Sequence, residues 1–92
     1  MMFTKRLREP IMRGEITCTV RIWRNLRVKV GGRYPLGGGF VEVSRIQQVD
    51  LGDITEDIAR ASGFADLDDL MSVARHGSGE SVYLIDFIYA KG

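Results

Sequence analysis

The sequence predicts an α+β fold, a curled and mostly antiparallel sheet covered by helices and closed or nearly closed into a small β-barrel. Three observations predict it. Apolar residues recur with a two-residue period over 15–23, 26–30 and 40–49; a dense run over 81–90 is apolar on both of its faces; and two segments with helical spacing and helix caps lie between them. With 92 residues, 45% of them hydrophobic, the chain makes one small domain spanning 1–92, with no repeat, low-complexity tract or linker.

Phe3 is expected to open a short strand, followed by a helical stretch over 5–13. Pro10 sits awkwardly there, because proline is best tolerated at a first helical position, so the ordered helix is expected to restart at Pro10 and end at Gly14. In the strand over 15–23, Ile16, Cys18, Val20 and Ile22 point one way, into a core. Thr17, Thr19, Arg21 and Trp23 are left on a second face, expected to form an open cationic cleft. Leu26-Arg27-Val28-Lys29-Val30 again alternates, as a strand with one wet face does. Between two glycine clusters lies Arg33-Tyr34-Pro35-Leu36, an extended piece whose proline suits an edge or a turn.

A longer strand over 40–49 follows, and then two helices. Thr55 caps the first, Glu56 and Asp57 suit its positive end, and Gly63 ends it in a left-handed conformation. Asp66 caps the second, with Asp69 three residues on, and Leu67, Leu70, Met71 and Ala74 form one buried stripe. Arg75 and His76 fall in its last turn before Gly77, Ser78-Gly79-Glu80 makes a turn, and 81–90 is the central strand.

Several function classes are excluded by composition. One cysteine, Cys18, permits no internal disulfide; together with the single His76 it is too little for a zinc site, so no metal is expected. Nothing calls for a cofactor. No apolar stretch is long enough to span a membrane and no signal peptide opens the chain, so a soluble, reducing, cytoplasmic setting is expected. Net charge is only +1, yet residues 1–46 carry ten Lys or Arg against three acids, and residues 47–92 carry three against nine. Such a dipole either presents a basic face to an anion such as RNA or pairs internally when the halves pack together.

The basic half is densest at Arg13, Arg21, Arg24, Arg27, Lys29 and Arg33, among which only Glu15 is acidic. Five arginines to one lysine is the bias of phosphate recognition, since a planar guanidinium binds phosphate bidentately. Arg21 either serves such a contact or pairs with an acid of the second half such as Asp86. Trp23, and with it Tyr34, either stacks an unpaired base or, for Trp23, plugs the core under the following loop. Gly37-Gly38-Gly39 lacks phosphate-loop spacing and is a hairpin connection.

The order of elements and the residues over 11–21 resemble the ASCH domain of the PUA-like superfamily. The family pattern, an apolar pair, any residue, then Gly-x-Lys-x-x-Glu-x-Arg, is met by Ile11-Met12-Arg13-Gly14 and Arg21. Thr19 matches a branch of small N4-acetylcytidine amidohydrolases that has Thr in place of Glu. Val30-Gly31-Gly32-Arg33, Ile58-Ala59 with Gly63-Phe64, and Tyr83-Leu84-Ile85-Asp86-Phe87 are similar to further family segments. The resemblance implies a PUA-like β-barrel that contacts RNA or a nucleotide. Where that branch carries a catalytic Lys and Glu, this chain has Ile16 and Ser62, and neither replaces an amine or a carboxylate in proton transfer.

The expectation is therefore an RNA- or nucleotide-binding module, with Arg13, Thr17, Thr19, Arg21, Trp23, Arg24, Arg27 and Lys29 around the site. The alternative is a small ASCH-type hydrolase, acting on N4-acetylcytidine or cutting RNA, with Thr19 as its remaining catalytic candidate. A third expectation is a protein partner docked on the acidic helices over 55–75.

Overall fold

The computed structural model describes residues 3–74 and 81–91. Helix α1 (Lys5–Met12) leads into β1 (Cys18–Trp23), β2 (Arg33–Leu36) and β3 (Gly39–Val49). A 3-10 turn (Leu51–Asp53), helices α2 (Glu56–Ala61) and α3 (Leu67–Ala74), and β4 (Ser81–Lys91) follow. The strands form one antiparallel sheet in the order β1-β4-β3-β2, curled into a half-barrel. The α+β class and the central place of the last strand therefore hold; β1 and β2 are the two ends of the sheet.

Local chemistry explains most boundaries. The Thr55 hydroxyl accepts the Ile58 N–H at 3.2 Å and Gly63 follows α2 with φ +96°, while the Asp66 carboxylate accepts the Asp69 N–H at 2.8 Å at the start of α3. In β3 the pairing with β4 slips between Val43 and Arg45, a bulge at Ser44 that adds to the curl. Arg75, His76 and the turn over 78–80 lie outside the described residues.

Three expectations are corrected. Phe3 is in no strand; it is buried at the entrance to α1, its ring 5.4 Å from that of Phe87. Pro10 does not restart the helix, which runs through it, because buried Leu7 and Ile11 hold the two turns on the core at the expense of one backbone bond. The segment over 26–30 is a loop and not a strand. Only Val28 of its three apolar residues turns inward, leaving Leu26 43% and Val30 61% exposed.

The core has two parts. The larger joins Leu7 and Ile11 of α1, Ile16, Val20 and Ile22 of the first strand region, Ala59, Phe64 and Leu70 of the α2–α3 region, and Val82 and Phe87 of β4. The smaller gathers Trp23, Val28, Val43, Tyr83 and Ile85. No helix among the described residues is long and apolar enough to cross a membrane.

Candidate nucleic-acid interface

Antiparallel partners share a face, and the register sets Thr19 beside Ile85, Arg21 beside Tyr83 and Trp23 beside Ser81. The odd residues of β1 thus lie together on one face, as the period requires. That face is covered. Thr19 is 5% and Trp23 6% exposed, and Trp23 packs on Tyr83 with ring centroids 6.1 Å apart and on Val28 from the loop.

Arg21 is half-buried in the same layer. Its guanidinium lies 5.0 Å from the Phe3 ring centroid and 6.0 Å from that of Trp23, and its Nε donates to the Thr19 hydroxyl at 3.2 Å. Burial lowers its pKa to about 10, which still leaves it charged at neutral pH. The open hollow expected at Thr19, Arg21 and Trp23 is thus filled by Phe3 and Val28. Neither residue carried a sequence signal for this, since each arrives from a segment with no regular strand of its own. Thr17 is exposed just before β1, and its carbonyl accepts the Phe87 N–H at 2.9 Å.

The positions where the resemblance would put catalytic groups, 16 and 62, are packing positions. Ile16 is buried against the α2–α3 turn, where a Cβ on Gly63 would come within 2.5 Å of the Ile16 Cδ1. Ser62 is 1% exposed, and its hydroxyl donates to the Ile58 carbonyl. Among the described residues no group of His, Cys, Asp and Glu is arranged to hold a metal ion. Burial, and secondarily Asp86, raises the Cys18 thiol above its usual range.

The cations sort into two sets. Arg13, exposed at the end of α1, lies between Glu9 and Glu15, and the Glu15 carboxylate raises its pKa. Arg6 donates from its Nη2 to both carboxylate oxygens of Asp69 at 2.9 Å, Arg33 meets Glu42 at 2.9 Å, and Arg60 meets Asp57. Internal pairing therefore accounts for part of the charge dipole. By contrast, Arg24, Arg27 and Lys29 are exposed and, among the described residues, have no carboxylate partner. Lys5, Arg8, Arg45 and Lys91 also lack one, but are scattered over α1, β3 and β4.

The loop that carries the clustered three is anchored at both ends. Val28 is sunk in the smaller core, the Gly31 N–H donates to the Val43 carbonyl at 2.7 Å, and the Val43 N–H donates to the Gly32 carbonyl at 3.0 Å. The Lys29 N–H donates to the Tyr34 hydroxyl at 3.2 Å. A side chain at Gly32 would collide with that hydroxyl and with the Lys29 carbonyl, at 2.5 and 2.9 Å, so the tight return needs glycine. With Val28 turned inward, the flanking Arg27 and Lys29 turn outward.

The acidic helices are partly committed to the fold. Asp69 accepts from Arg6 and from the Ala65 N–H, Glu56 accepts the Leu67 N–H at 2.9 Å, and Asp66 caps α3. No family model, curated protein or solved structure matches this chain.

Proposed function

We propose that the chain is an RNA- or nucleotide-binding module, built on an ASCH-like and PUA-like half-barrel and working in the cytoplasm, that holds phosphates on the loop over 24–32. One observation carries this reading: three exposed cations, Arg24, Arg27 and Lys29, which have no carboxylate partner among the described residues, share one anchored loop that contains no acid. Charges already paired gain little from a phosphate, because an existing bond must be surrendered first; unpaired ones release counterions outright. In this reading Thr19, Arg21 and Trp23 back the loop from the covered layer of β1 without touching the ligand, and Arg13, at the end of α1, and Thr17, just before β1, lie outside the site. Nothing in the geometry favours the hydrolase, since Ile16 and Ser62 are core residues and the Thr19 hydroxyl is occupied by Arg21.

The test compares two variants of equal charge by fluorescence anisotropy with a labelled RNA 20-mer. R24Q/R27Q/K29Q is expected to weaken binding by roughly tenfold or more, whereas K5Q/R8Q/R45Q changes it by less than about threefold. Equal losses would assign binding to net charge and reject the loop; no binding by the native chain would reject the function.

A further inference from the structure

We infer, on the basis of that phosphate site, that its ligand is an RNA duplex gripped by its backbone without selection of base sequence. The observation behind it concerns the aromatic residues, all eight of which lie among the described ones, and none of which is exposed. Five are buried, Trp23 and Tyr83 among them. The other three are held: Tyr34 accepts the Lys29 N–H, Phe40 lies under the Arg33 guanidinium at 5.0 Å from its centroid, and Tyr89 donates its hydroxyl to the Leu36 carbonyl at 3.1 Å.

Proteins that hold single strands stack successive bases on aromatic planes, and sequence-selective RNA readers splay bases onto the same kind of surface. No ring on this surface is fully exposed, and each of the three half-buried ones is engaged by a neighbour. The loop presents three cations with two aliphatic side chains, Leu26 and Val30, between and beside them. An arginine plane can lie on a base, but each cation so used is withdrawn from phosphate. A-form duplex suits the set better, because its bases are already stacked on one another and it is recognised through phosphates, 2′-hydroxyls and shape. Two strands also place more charge along a given length than one, so each cation releases more counterion.

The test is anisotropy on the native chain with a 20-base-pair RNA duplex, a second duplex of unrelated sequence, and the unpaired 20-nucleotide strand of each. The duplexes are expected to bind at least about fivefold more tightly than the strands and within about twofold of one another, with a log–log salt slope near −2.7 for three phosphates. Tighter binding of single strands, or a marked preference for one sequence, would overturn the duplex assignment while leaving the phosphate site standing. Failure to bind any of the four would overturn both. R24Q/R27Q/K29Q, checked for native fold by its circular dichroism, is expected to abolish the duplex preference.

Discussion

At the residue scale, Trp23 and Arg21 show how a side chain suited to a ligand is used by the fold instead. Trp23 packs with Tyr83, Val28 and Val43, so Trp23→Ala is expected to lower stability by about 3–5 kcal/mol in urea unfolding, the usual cost of truncating a large buried aromatic. As the single tryptophan it is also a reporter. Its emission is expected to be blue-shifted in the native chain and unmoved by saturating RNA; quenching without unfolding would mean that a base reaches the ring. Thr19→Ala removes the acceptor of the Arg21 Nε and is expected to cost about 1 kcal/mol in stability without changing RNA affinity. The sequence made the two faces of this strand legible, because alternation with period two is a backbone property. It could not tell what covers the second face, since Phe3 and Val28 come from irregular segments on either side.

At the element scale, the helices pack through a few contacts that tolerate little change. Gly63 follows α2 with φ +96°, and a Cβ there would meet the Leu7 Cδ2 at 2.6 Å as well as Ile16. Gly63→Ala is therefore expected to destabilise by at least about 1 kcal/mol, seen as a lower urea midpoint, because backbone strain and the displacement of α1 act together. Asp69 ties α3 to α1. The Ala65 N–H, then the Arg6 guanidinium, holds its carboxyl below the usual carboxylate range. A lowered folded pKa contributes stability above the unfolded value of about 3.9, and that contribution is lost as pH falls through the folded value. Asp69→Asn is accordingly expected to be less stable than the native chain at neutral pH and to lose less stability on going from about pH 4 to pH 2. Identical acid profiles would mean that the Ala65 and Arg6 bonds to Asp69 together add nothing. The caps of α2 and α3 were legible because caps are local chemistry. The loop over 26–30 carries the alternation of a strand because one inward apolar residue flanked by cations gives the same pattern, and only the anchoring at Val28 and Val43 distinguishes the two.

At the scale of the whole molecule, the charge dipole of the sequence resolves into pairs that close the fold and a remainder that does not. Arg6 with Asp69 joins the basic and acidic halves, Arg13 and Arg33 are satisfied within the basic half, and of the cations left without a carboxylate among the described residues three share one anchored loop while Lys5, Arg8, Arg45 and Lys91 are dispersed. The concentration of basic residues was visible in the sequence; the division into paired and unpaired cations was not, because it depends on which carboxylates the sheet register and helix packing bring within reach. That division makes a claim about ionic strength. The measurement that bears on it most directly is RNA affinity across a salt series for the native chain and for R24Q/R27Q/K29Q. A slope of about −2 to −3 for the native chain, falling close to zero in the variant, is the expected result. The same slope and affinity in both proteins would contradict it.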